Sequence, residues 1–170
     1  LDWTPEQDEL LEIEGEPTCS IAIIIEGEGE FSVAGGQALS ISNDSFFIFR
    51  TLHPTLGTNR FKAGKRILGV DFRYPHSLFN AYEGAFLNHL TVDDKRTEVL
   101  FEKRVITQDL MRISHEVLAC EMEGVPRELF LRGKALEVLA YIAQDTLVTP
   151  PVSTPPIYRD HLSIKLAQQI

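Results

Sequence analysis

The sequence predicts an α+β domain: a small antiparallel β-barrel followed by an antiparallel pair of helices. Three observations carry that expectation. Ser20 to Ile41 (SIAIIIEGEGEFSVAGGQALSI) reads as strand, turn, strand, turn, strand, with glycines where tight turns need free backbone angles. Ser45–Arg50 (SFFIFR) and Arg66–Tyr74 (RILGVDFRY) are further strand-length runs. From Thr107 the apolar period changes from two to about 3.6 and stays there through two successive segments. A meander of two or three strands buries too little apolar surface to stand alone, so the later elements have to complete it.

In chain order, residues 1–17 read as an acidic arm with little fixed structure, ending at Pro17. The barrel is expected over residues 18–105. Ser20 to Glu26 is β-branched and apolar, Phe31 to Val33 resumes a strand, and Ala34-Gly35-Gly36 turns again. Leu39 and Ile41 then oppose Ala38 and Ser40. Asn43-Asp44 makes a turn. Ser45–Arg50 is apolar on both faces, which predicts a central strand. Thr51 to Asn59 holds His53-Pro54 and Gly57 and reads as loop. Arg60 to Ala63 reads as a short strand stopped by Gly64. In the next strand Leu68, Val70, Phe72 and Tyr74 share a core face. Ile67, Gly69, Asp71 and Arg73 share the other, which points to solvent or to a polar cavity. Residues 77–90 leave helix and coil open, with one short helix as the expectation. Val92 to Lys95 is a turn, and Glu98 to Val105 a last strand.

Residues 106–148 form the helical region. Thr107 is placed to cap a helix, with Asp109 favourable in its first turn. Leu110, Met111, Ile113, Val117, Leu118, Cys120 and Met122 cover an arc of about 200°. Gly124 closes that helix, and Pro126 begins another that runs to about Leu147. Its apolar residues again fill about 200°, against ~100° for an ordinary surface helix. Each helix is therefore expected to touch two things, the barrel and a second subunit. Leu131, Val138 and Ile142 share one strip and are the expected homodimer contacts. Residues 149–170 open on a stiff, proline-rich linker (TPPVSTPP) and turn helical at Ile157. The chain stops within that helical pattern, so a further domain is expected beyond it.

Composition narrows the function classes. The chain has 170 residues, 44% of them hydrophobic, enough for one core of ordinary size. No apolar run approaches the length of a membrane span, and the first thirty residues hold no Lys or Arg, so no secretory leader is expected. Cys19 and Cys120 lie far apart with no metal-ligand spacing and are expected as reduced thiols in a cytoplasmic protein. Residues 1–30 carry ten acids and no base, while the other 140 carry 15 acids and 16 bases. This chain therefore has no basic patch for a phosphate backbone.

A glycine-turn meander, two antiparallel helices, a proline-rich linker and a helix starting IYRD resemble the amino-terminal half of an AraC-type transcription regulator. Gly124–Leu147 (GVPRELFLRGKALEVLAYIAQDTL) is similar to the corresponding part of the siderophore-responsive, pyochelin-regulator branch. There a short Gly-containing bend precedes a helix whose pattern falls here on Phe130, Leu131, Gly133, Lys134, Ala135, Leu136, Glu137, Val138 and Leu139. The resemblance implies a cupin-like sensor barrel for a small effector, such as a ferric siderophore, with a helical dimer interface. It also implies helix-turn-helix units outside this chain, through which the parent protein would bind DNA.

Metal-dependent cupins need three or four converging ligands, including two His one residue apart. His53, His76, His89, His115 and His161 are scattered, so neither a metal nor another cofactor is expected, nor is an enzyme. A siderophore would bring its own iron ligands. Two other readings stay open. Glu28-Gly29-Glu30-Phe31 also resembles the barrel of cyclic-nucleotide-binding regulators, though no phosphate cassette follows. A plain interaction domain without ligand is the other. For a sensor, the candidate ligand contacts are Arg50, His53, Phe61, Arg73 and Tyr74 at strand ends and in the following loop. Trp3 joins them if the arm folds back.

Overall fold

The computed structural model describes residues 1–33, 38–81 and 99–148. The expected turn at Ala34-Gly35-Gly36, most of the 77–90 segment, the Val92–Lys95 turn, the linker and the helix from Ile157 lie outside these residues. The strands are β1 (Asp2–Trp3), β2 (Glu9–Gly15), β3 (Cys19–Glu26), β4 (Gly29–Val33), β5 (Leu39–Ile41), β6 (Ser45–Thr51), β7 (Thr55–Phe61), β8 (Ile67–Tyr74) and β9 (Val99–Val105). The helices are α1 (His76–Ala81), α2 (Gln108–Leu118) and α3 (Gly124–Val148).

The α+β class holds. The strands form a cupin-like sandwich of two antiparallel sheets, ordered β1-β8-β3-β6-β9 and β2-β7-β4-β5. Among the described residues no strand pairing joins the two, so the expected barrel is an open sandwich. The reason lies at Gly27. Its φ of +149° bends the chain out of the first sheet, and its N–H is held by Asn43 Oδ1 at 2.7 Å. Strands β3 and β4 therefore part company, and of the expected meander only β4 and β5 are neighbours.

The five-stranded sheet is buried on both faces. Cys19, Ile21 and Ile23 of β3, Phe46 and Ile48 of β6, and Phe72 and Tyr74 of β8 form one cluster with Leu110 and Ile113 of α2 and Val138, Leu139 and Ile142 of α3. The opposite side of the same strands carries Ala22, Ile24, Phe47 and Ile67, which meet Ile41, Phe61 and Phe31 of the second sheet. The expected two-sided, central character of SFFIFR is met: β6 lies between β3 and β9. Gly69 lets β8 lie close on β3, because a Cβ there would fall 2.5 Å from the Ile23 carbonyl oxygen.

The first seventeen residues are not a loose arm. β1 pairs with β8, and β2 pairs along its whole length with β7. Bases from elsewhere in the chain meet their acids. Arg66 grips Asp2 with two bonds of 2.9 Å, and Asp8 accepts from Lys62 and from the Ala63 N–H at 3.0 Å each. The Arg66 guanidinium holds the Asp2 carboxyl below its ordinary value. The stretch expected as loop after Thr51 is also largely strand: only 52–54 turn, and β7 begins at Thr55.

Thr107 caps α2 as expected, its hydroxyl accepting from the Leu110 N–H at 3.3 Å. The helix ends at Leu118, before Gly124: the Ala119 N–H makes the last i→i−4 bond, to the His115 carbonyl, and the Cys120 N–H turns back to the Val117 carbonyl at 3.3 Å in a tighter i→i−3 bond. Gly124, at φ +60°, opens α3 instead. Arg112 and Lys134 tie the two helices together. Arg112 binds Glu116 at 2.7 Å and Glu137 at 2.8 Å, and Lys134 binds Glu137 at 2.7 Å and also Glu116. Among the described residues no helix is long and apolar enough to cross a membrane.

This network fixes a pH dependence. Lys134 and then Arg112 hold Glu116 below its ordinary 4.5, and Arg112 and then Lys134 do the same for Glu137. A carboxyl with a depressed folded-state pKa contributes stability above its unfolded value and loses it as pH falls through the folded one. The urea midpoint is expected to drop as pH is lowered below about 4.5, and a Glu116→Gln/Glu137→Gln variant to lose part of that slope. Equal slopes in the two proteins would refute the contribution.

Candidate functional site

The inner faces of the two sheets do not fill the space between them. A cavity of about 680 Å³ remains. Its wall on the five-stranded sheet comes from alternate residues: Ser20, Ala22 and Ile24 of β3, Phe47, Phe49 and Thr51 of β6, and Ile67, Gly69, Asp71 and Arg73 of β8. The facing wall is Ile13 and Gly15 of β2, Phe31 of β4, Ile41 of β5, and Thr55, Gly57, Asn59 and Phe61 of β7. The register explains the pattern. Asn59 stands opposite Phe31 and Leu11, and Gly57 opposite Ile13, so the odd-numbered positions of β7 turn inward.

Four phenylalanines, Phe31, Phe47, Phe49 and Phe61, stand among aliphatic side chains in the wall. Phe31 and Phe49 meet edge to face across the sandwich at 5.7 Å and 86°. Trp3 stands edge-on to Phe61 at 5.7 Å and 89°. Polar groups are few. Thr51 Oγ1 accepts from the Thr18 N–H at 3.1 Å, and Thr55 Oγ1 donates to the His53 carbonyl at 2.8 Å. At the mouth, Arg73 Nε binds Asp71 at 2.8 Å. Glu14 and Glu16 lie on the rim, both exposed.

Of the residues expected at a ligand, the structure brings Phe61 and Arg73 to the cavity wall and puts Trp3 behind Phe61. It does not bring Arg50, His53 or Tyr74 there. Arg50 pairs with Cys19 and so alternates onto the helix side of the sheet, while His53 is exposed in the turn before β7. Tyr74 is buried on the helix side, its hydroxyl donating to the Ala135 carbonyl at 2.9 Å. Burial pushes that phenol above its ordinary value of 10.0. Sequence reasoning missed Ser20, Asn59 and the inward rings of β4 and β6. The signal for Asn59 was present: Thr55, Gly57, Asn59 and Phe61 alternate with Leu56, Thr58 and Arg60.

Of the expected dimer strip, Leu131 is half-buried and the other two residues lie inside the chain. Val138 and Ile142 are 0% and 1% exposed, sealed between α3 and the sheet, and so cannot present an outer face. Among the described residues the exposed large apolar side chains of α3 are Val125, Leu129 and Leu136, at 66%, 64% and 54%. Among the described residues no three His, Cys, Asp or Glu side chains converge as a metal site. Neither cysteine is in a disulfide.

Replacing Tyr74 by Phe is expected to cost about 1 kcal/mol of stability, since it leaves the Ala135 carbonyl without this donor. Occupancy of the cavity by an apolar dye should not change. Loss of dye binding at unchanged stability would move Tyr74 back to the cavity side.

No curated protein matches the chain. The family described as the regulatory protein PchR N-terminal domain matches residues 1–157, nearly the whole length. That family is the amino-terminal domain of an AraC-type pyochelin regulator. The chain belongs to it, and is a regulatory amino-terminal domain.

Proposed function

We propose that this domain is the effector-sensing and dimerising part of a transcription regulator, and not an enzyme. The cavity between the sheets is the observation that carries this reading. Its volume of about 680 Å³ and its apolar wall suit a drug-sized apolar molecule, since such sites run to roughly 300–1,000 Å³. The effector proposed is a ferric siderophore, on the strength of the family. Iron held within its own chelator needs no protein ligands, which agrees with the wall residues present.

Filling the cavity tests the reading. Ala22 lies on the inner face of β3 between Phe47 and Asp71. Thermal shift with a panel of ferric siderophores is expected to find one that stabilises the protein, by about 2.7 kcal/mol at a hundred times its dissociation constant. Ala22→Trp should abolish that shift while the protein remains folded by circular dichroism. A shift that survives the substitution would place the effector elsewhere, and stabilisation by cyclic nucleotides alone would replace the siderophore.

Dimerisation is proposed through the exposed strip of α3. Val125, Leu129, Gly133, Leu136 and Ala140 follow one another at spacings of four and three along the helix. A Cβ at Gly133 would meet nothing within 4 Å, so a second helix has room to approach closely there. Leu129→Glu with Leu136→Glu should convert a dimer to a soluble monomer in light scattering. A dimer of unchanged mass would remove this interface.

A further inference from the structure

The charges around the cavity bear on what it accepts. Its inner polar side chains are neutral: besides Thr51 and Thr55, whose bonds are given above, they are Ser20 on one sheet and Asn59 on the other. Among the described residues neither of these last two side chains has a hydrogen-bond partner, so both are available to a ligand. The ionised side chains at the mouth are Glu14, Glu16, Asp71 and Arg73, and the Leu1 amino group beside them donates to the Gly69 carbonyl at 2.8 Å. Arg73 is matched by Asp71, which leaves the two glutamates uncompensated at the rim. Two further cations beside wall residues are engaged elsewhere. Lys103 lies 5.8 Å from the Phe47 ring centre but donates to the Ser40 carbonyl and the Ser42 hydroxyl at 2.8 and 2.9 Å. Arg66 is held by Asp2 and Glu26.

From this we infer that the cavity selects an aromatic ligand that is neutral or positively charged, and rejects anions. The inference rests on the effector-site reading above. An anion entering between the sheets would exchange water for phenyl rings and neutral hydrogen-bonding groups, with no free cation to replace its hydration. It would also approach against a negative rim whose field is focused by apolar walls. A neutral or cationic ring system meets neither obstacle. The electron-rich faces of Phe31, Phe47, Phe49 and Phe61 attract a cation.

Three dyes of similar size read the selectivity on the whole chain. Nile red is neutral, berberine is cationic, and 8-anilinonaphthalene-1-sulfonate is anionic. Nile red should bind and lose its binding in Ala22→Trp. Berberine should displace it, and the sulfonate should displace it at least roughly ten-fold less well at low salt. The gap should narrow as salt screens the rim. Glu14→Lys with Glu16→Lys, both at exposed positions, should strengthen the sulfonate by roughly ten-fold and leave Nile red within about two-fold. A sulfonate that displaces Nile red as readily as berberine, or is unmoved by the charge reversal, overturns the selectivity and leaves the cavity reading standing. Failure of Nile red to bind removes the cavity reading and this inference with it.

Discussion

The two-sided burial of the five-stranded sheet is the constraint on which the rest of the structure depends. A strand buried on both faces has no position free for a charge until it reaches an edge or an end. β6 meets that condition from Ser45 to Phe49, and its first charge is Arg50 near the end. Phe46 and Ile48 go to the helices, Phe47 to the cavity side. Each such side chain contributes about 1.5–3 kcal/mol when fully buried. A charge at Phe46, Phe47 or Ile48 would therefore weaken the packing of either the helix pair or the second sheet on this strand.

The acidic beginning of the chain has a different logic. Its strands occupy sheet edges: β1 borders the first sheet and β2 the second. An edge strand offers unpaired backbone groups to any passing strand, and charge is a common protection. β2 carries Glu9, Glu12 and Glu14 among exposed Leu10, Leu11 and Ile13. Two copies of such an edge, laid side by side, would set acid against acid. The acids that sit nearest a base, Asp2 and Asp8, fasten the segment to the turn before β8.

This explains what the sequence disclosed and what it concealed. The central strands and both long helices were legible, because their inward residues are uniformly apolar and the period is clean. β2 and β7 were not. Their inward faces line a cavity, so Gly15, Thr55, Gly57 and Asn59 stand where a packed core would have required Leu or Val. Periodicity detects burial against protein, not the boundary of an empty space. The site residues suffered from the same blindness: Asn59 looked like loop, while Tyr74 looked like a pocket aromatic and proved to be a helix anchor. The burial of Val138 and Ile142 was hidden for another reason. An arc of about 200° on a helix has two edges, and composition alone cannot say which edge meets the sheet.

The same alternation gives the cavity and the helices a shared backbone. Phe47 faces the cavity and Phe46, its neighbour, faces α2 and α3; Arg73 stands at the mouth and Tyr74 grips Ala135. Interiors packed to near-crystalline density do not absorb displacement, so a shift of β6 or β8 around a ligand must be taken up by the helix layer. The charge network of Arg112, Lys134, Glu116 and Glu137 spans α2 and α3, which favours their moving as one body. Rigidity alone does not make a switch. A ligand redistributes two arrangements only by as much as its affinity for them differs. On the proposed reading, that difference has to arise where the ligand would touch the five-stranded sheet, at the inward rings Phe47 and Phe49 of β6. On the same reading, those rings are where binding of an effector would be passed to the helix layer.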